Sequence, residues 1–411
     1  MSQASADSSD QPRTPIKIAA LLRSGHLIDS RAAEIGLLIC LAFALELAAG
    51  TGLAYIAGFA SVQQVLPHFW TDWTWLAGVA GSLAVSFYGY YLAYDGIFSV
   101  EAGPQVPGPR MRAIVAAGFG GFLSHGGPAL DGYALEAAGA SKRDASVRVT
   151  GLAGLEHGVL AIGVVPAAIT VLATGSGAPP PDFTLPWAII PVPGFLLGFW
   201  LAERYRARLR DRPGLRGKAG VFLDGIHLIR TLFLAPGKDW PAAPGMALFW
   251  ATDMLAAWLG LAAFGYRMNA ATFIVAMGTG MVFTRRTGPL AGAGVLTLVL
   301  PLTLWYSGAP LAVATAGIFA YRILTLALPL PFALAALPGL RAMGRRRDTG
   351  APGSTRQPSD EPALRGDDGQ LWPGSGPVVV QLRAAAPGNR VVHDADEFAG
   401  RTGAPRCTTT R

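Results

Sequence analysis

Apolar positions along this chain fall into long runs, not into alternation. Runs at about 35–59, 75–100, 149–172, 183–201, 244–264 and 310–337 are almost free of charge. Each is long enough for a helix that must cross roughly 30 Å of hydrocarbon at about 1.5 Å per residue. Each predicts a membrane-spanning helix. Two other apolar regions, 113–140 and 270–306, are thick with Gly and Pro and carry charges at their centres. A simple span does not have that pattern.

Composition sharpens the class. Of 411 residues, 51% are hydrophobic and only 14% are charged, too few to solvate the surface of a soluble protein of this length. The pattern predicts an all-α polytopic membrane protein. A polar segment at 1–31 precedes the transmembrane domain at 32–340. A Pro-, Gly- and charge-rich tail, 341–411, follows it; both flanks have the composition of disordered chain. The two cysteines, Cys40 and Cys407, have no metal-ligand spacing.

The net charge of +7 would suit nucleic acid, but the basic residues lie between apolar runs. That is a topology signal, and it excludes a nucleic-acid partner. Arg13, Lys17, Arg23 and Arg31 precede the first run; the loop "ASVQQVLPHFWTDWTW" after it has no Lys or Arg. Arg110, Arg112 and "SKRDASVR" follow the second run, the 173–186 loop is free of basic residues, and "ERYRARLRDRPGLRGK" is rich in them. The positive-inside rule puts both termini and the 204–218 loop in the cytoplasm, in the cell membrane. Residues 219–236, too mixed to span, read as an amphipathic helix on that face, with His227 and Arg230 on its polar side.

The two awkward regions resemble each other. "GFGGFLSHGGPALDGYALEAAGAS" and "GTGMVFTRRTGPLAGAGVLTLVLP" share Gly-x-Gly, a short apolar step, polar residues and then Gly-Pro. Each precedes a long span with a polar pair in its first half, Glu156-His157 and Tyr321-Arg322. The charge pattern has the first region entering and leaving on the cytoplasmic side and the second on the other. The chain therefore reads as six full spans plus two re-entrant helical hairpins in an inverted repeat. In the alternative, eight simple spans, Arg285 and Arg286 of "MVFTRRTGPLAGAG" lie in a cytoplasmic loop. That arrangement avoids arginines at the bilayer centre, which cost about 2.5–3.5 kcal/mol each. It leaves the repeat without symmetry.

In the hairpin arrangement, broken helices turn unpaired backbone N–H groups toward anions, and Arg285, Arg286 and Thr287 add donors for a phosphate. Ser124 and His125 are adjacent, a poor geometry for nucleophile and base, and read as polar lining. Asp131, Glu156 and His157 stand in apolar company, as ion-paired scaffolding or as part of a substrate site. Glu46, Asp95 and Asp253 are isolated acids to which the sequence assigns no role. No catalytic constellation, phosphate-binding loop or zinc spacing is found, so neither an enzyme nor a cofactor is expected.

"GGPALDGYALEAAGASKRDASVRVTGLAGLEHGVLA" and "PLAGAGVLTLVLPLTLWYSGAPLAVATAGIFAYRILTLALP" resemble the two hallmark regions of the lysylphosphatidylglycerol synthetase transmembrane family. This is the flippase-like membrane domain of the multiple peptide resistance factor. The resemblance covers roughly 30–340 and implies a bacterial membrane protein that moves lipids between leaflets. By position it assigns Asp131, Glu156, Gly292, Gly294, Tyr321 and Arg322 to family motifs. His157 replaces a basic partner, and the family's glutamate after the second glycine motif is missing, with Thr297 closest. The aminoacyl-transferring domain of the resistance factor does not fit in the tail, which implies a separate lipid-synthesising enzyme as partner.

The leading expectation is thus a lipid translocase whose partners are membrane lipids. The alternatives are an intramembrane enzyme or accessory subunit acting on lipid head groups, and a non-transporting scaffold.

Overall fold

Six helical stretches are long and apolar enough to cross a membrane: Ala33–Ala57, Thr74–Ala102, Lys142–Thr174, Pro181–Leu209, Ala242–Ala263 and Leu311–Gly339. They match the six runs read from the sequence, and they make the chain a multi-pass, all-α membrane protein. The computed structural model describes residues 31–71, 74–119, 127–175, 181–210, 212–234, 237–282 and 289–348. Among these there are helices and no strands.

In chain order the helices are α1 (Arg31–Ala57), α2 (Phe59–Thr71), α3 (Thr74–Ser99), α4 (Gly108–Phe119) and α5 (Gly127–Ala137), then α6 (Lys142–Thr174), α7 (Pro181–Ile189) and α8 (Pro191–Leu209). The rest are α9 (Gly214–Leu234), α10 (Ala242–Ala263), α11 (Ala270–Met281), α12 (Val295–Tyr306), α13 (Leu311–Ala327) and α14 (Leu330–Asp348). Local chemistry sets several of the ends. The Ser141 hydroxyl accepts from the Asp144 N–H at 3.1 Å to start α6, and Gly175 closes it with a left-handed φ of 58°. Asn269 accepts from the N–H groups of Ala271 and Thr272 to start α11.

The centre of the bundle is α10, held between α3 and α13 by glycines. A Cβ on Gly89 of α3 would lie 2.6 Å from the carbonyl oxygen of Gly245, and a Cβ on Gly245 would lie 2.7 Å from that of Gly89. Gly260 and Gly317 make the same reciprocal approach between α10 and α13, at 2.8 and 2.9 Å. Contacts along α3 and α10 pair Gly78 with Leu259, Gly89 with Gly245 and Gly96 with Ala242, so the two helices run antiparallel. Small residues let backbones approach this closely, and in lipid such packing replaces the hydrophobic effect between helices.

The two glycine- and proline-rich regions each fold as a pair of short helices, α4 with α5 and α11 with α12, and the members of each pair touch. The longest of the four has 12 residues. That is about 18 Å of helix, well short of roughly 30 Å of hydrocarbon.

Two local expectations need correction. The segment read as the loop "ASVQQVLPHFWTDWTW" is largely α2. Its half-buried Val62, Val65 and Phe69 recur at helical spacing, and Phe69 stacks on Phe264 at 5.5 Å. Gly58, with φ of 85°, breaks the chain between α1 and α2. Arg148, counted with the loop charges, lies inside α6 and is 4% exposed. Its guanidinium donates to the carbonyls of Ile97, Phe98 and Val100 at the C-terminal end of α3. There it offsets the negative end of the helix dipole. It also supports the left-handed Glu101 and Ala102, with φ of 54° and 57°, that follow.

Candidate functional site

Buried polar side chains gather in two places, on either side of α10. On the first side, Tyr90 and Tyr94 sit one turn apart on α3, their rings 5.1 Å apart and facing the same way. The Tyr94 hydroxyl donates to Asp131 Oδ1 on α5 at 2.7 Å, and the Tyr90 hydroxyl donates to Glu156 Oε2 on α6 at 3.1 Å. Asp131 is wholly buried and Glu156 nearly so. The indole of Trp250 on α10 donates to the Glu156 backbone carbonyl at 2.8 Å, which ties α6 to α10 at the same level. Two acids separated in sequence are thus joined through a pair of tyrosines.

On the second side, the Tyr321 hydroxyl donates to Asp253 Oδ2 on α10 at 2.9 Å. Its neighbour Arg322 points elsewhere, since consecutive helical residues diverge by about 100°. The guanidinium reaches Glu46 on α1, Nη2 at 2.8 Å and Nε at 3.2 Å from Oε1. The other oxygen, Oε2, accepts from the Thr297 hydroxyl of α12. Glu46, Thr297 and Arg322 are all fully withdrawn from the surface. The charges of Glu46 and Arg322 answer each other, as burial in apolar surroundings requires.

The residues named from the sequence therefore separate. Asp131 and Glu156 belong to one cluster, and Tyr321 and Arg322 to the other. His157 does not join Glu156. Its Nδ1 lies 2.8 Å from the Ala153 carbonyl, and the ring borders an apolar groove on the far side of α6. Ser124, His125, Arg285, Arg286 and Thr287 lie outside the described residues.

Sequence reasoning gave no role to Glu46 and Asp253, which the fold makes the acidic partners of Arg322 and Tyr321. Their only signal was isolation: an acid inside an apolar span demands a partner. The resemblance leads one to expect a glutamate at Thr297. In this chain the carboxylate beside Thr297 comes from Glu46 on another helix.

Among the described residues, no three His, Cys, Asp or Glu side chains gather as a metal site. Comparison with known proteins returns no matching family model, no matching curated protein and no matching solved structure.

Proposed function

We propose that this protein moves phospholipids, or lipids with a similar anionic head group, between the leaflets of a cell membrane. It does so as a flippase-like member of the lysylphosphatidylglycerol synthetase transmembrane family. The observation that carries the proposal is the placing of buried charge beside broken helices. Glu46–Arg322 and Thr297 adjoin the short α12, and Asp131 lies on the short α5. Ionisable residues within membrane spans mark transport pathways, and backbone that is not helical at membrane depth is kept only where it lines a polar cavity. In this reading α4–α5 and α11–α12 are re-entrant hairpins that enter from opposite faces. Arg285, Arg286 and Thr287, between α11 and α12, hold the phosphate as it passes. Both termini face the cytoplasm, and head groups are made by a separate enzyme.

The test is reconstitution of the full chain in liposomes carrying fluorescent phosphatidylglycerol, phosphatidylethanolamine or phosphatidylcholine, with dithionite added outside. The proposal expects quenching beyond the outer-leaflet fraction for at least the anionic lipid. It expects Arg285→Ala combined with Arg286→Ala to abolish that excess in protein that reconstitutes normally. Quenching limited to the outer leaflet for all three lipids would overturn translocation. A chemically altered head group recovered by mass spectrometry would replace it with an enzyme. A fully active double variant would remove the arginines from the pathway.

A further inference from the structure

Where α6, α8 and α9 converge, a polar cavity of about 290 Å³ opens between them. Arginines come to it from two of these helices. Arg143 stands in the first turn of α6; Arg206 lies in the last turn of α8, with Arg210 just beyond its end. Residues 206 and 210 are four apart in helical backbone, so they share a side. Asp224 of α9, 6% exposed, draws two of the three together. Its Oδ2 lies 2.8 Å from Nη2 of Arg143 and 3.8 Å from Nε of Arg210. One carboxylate oxygen thus serves two guanidinium groups.

The other acids of the cavity are engaged elsewhere. Asp144 accepts from Arg148 Nε at 3.1 Å, and the three carbonyls that end α3 hold Nη1 of the same arginine. Glu101 lies 3.4 Å from His227 Nε2 and accepts from Thr231. Arg206 has no ion-pair partner among the described residues. Its charge is nonetheless felt within the cavity: after burial, Arg206 is what most lowers the pKa of His227. Four arginines in all line the space, against three carboxylates. A topology signal needs basic residues in the loop and does not need them to converge. Arg204 and Arg208, on the same helix, are exposed and do not line the cavity.

We propose that this cavity binds a phosphate group, held by Arg143, Arg206 and Arg210. Planar guanidinium groups take phosphate oxygens in pairs, and the group supplies the negative charge that Asp224 alone cannot give three arginines. The side chains of Arg143 and Arg210 are 34% and 61% exposed, so a ligand can reach them from outside. The phosphate comes either on a phospholipid head group at this face of the membrane or on a free organic phosphate in the aqueous phase. The site is separate from the proposed pathway and does not rest on it. A protein that binds phosphate here and never moves a lipid satisfies the inference.

The test uses the purified full chain in neutral detergent. Glycerol phosphate is compared with sodium chloride of equal ionic strength, and dioleoyl phosphatidylglycerol with the matching phosphatidylcholine. At least one phosphate ligand should raise the melting temperature above its control. A response to glycerol phosphate identifies a site open to free phosphate, and a response to phosphatidylglycerol alone identifies a head-group site. Arg206→Gln, which breaks no ion pair among the described residues, should weaken binding of the responding ligand at least about tenfold in a titration. Arg206→Lys should keep part of the affinity, and Arg208→Gln should keep all of it. Phenylglyoxal modification, mapped by mass spectrometry, tests the unaltered protein and so does not depend on a variant folding. The ligand should slow reaction at Arg206 and Arg210 while Arg208 and Arg216 react as before. No rise above control with either ligand would overturn the site. Unchanged affinity in folded Arg206→Gln, or equal slowing of all four arginines, would do the same.

Discussion

Arg322 of α13 and Glu46 of α1, 276 residues apart in sequence, pair at 2.8 Å with both side chains fully withdrawn from the surface. Removing one partner leaves a buried charge uncompensated, at a cost of about 3–5 kcal/mol. Glu46→Gln and Arg322→Met should each lower the melting temperature sharply in detergent. The combination Glu46→Leu with Arg322→Met should recover much of that loss. A double variant no more stable than either single one would show that the pair does not act as a unit.

Gly89 and Gly245 are tested by one methyl group. Gly89→Ala places a carbon 2.6 Å from the Gly245 carbonyl oxygen and 2.7 Å from the Phe249 nitrogen, where backbone has to move. Overpacking of this kind costs about 1–3 kcal/mol. Gly81→Ala, on the same helix but with nothing within 4 Å of the added carbon, serves as the control and should be nearly neutral. Equal melting temperatures for the two variants would contradict the close crossing.

Acid should weaken the α9 contacts through His227. Burial lowers its pKa from the ordinary 6.5 and Arg206 adds to the shift; Glu101 opposes it by more than Arg230 adds, and Asp224 opposes it least. The unfolded chain then binds the proton more readily than the folded one. This contribution to stability is fully present above 6.5 and is lost as pH falls below 6.5 toward the folded value. Melting curves from about pH 8 to about pH 5 should fall more steeply for the unaltered protein than for His227→Gln. Parallel curves would remove His227 from the account.

The cytoplasmic placing of the basic loop is open to a labelling experiment. Leu215, at the start of α9, is 83% exposed. In a background with Cys40→Ser and Cys407→Ser, Leu215→Cys should react with an impermeant maleimide only after the membrane of bacterial spheroplasts is opened. Reaction in sealed spheroplasts would reverse the topology.

Length and apolarity made the six spans legible, because a crossing helix needs a long uncharged run and little else does. The same logic marked 113–140 and 270–306 as broken, since Gly and Pro interrupt a helix whatever surrounds it. Pairing was not legible. Glu46 and Asp253 find Arg322 and Tyr321 only through tertiary structure, and no local period ties residues so far apart. The separation of Glu156 from His157, and of Tyr321 from Arg322, was readable from helical geometry alone. Taking each pair as one polar unit overlooked the turn of the helix. Arg148 misled in the opposite way: its charge counts toward topology, while its position within α6 makes it a cap for α3.

The glycine crossings at Gly89–Gly245 and Gly260–Gly317 also bear on mechanics. Where backbone rests on backbone there is no side chain to change rotamer and absorb a displacement. Helices α3, α10 and α13 can therefore shift only as one rigid frame. The span from Pro181 to Leu209 is the opposite case, with 6% of its apolar window buried. Of the six spans it is the one least held by burial, so a shift there disturbs the fewest packed side chains.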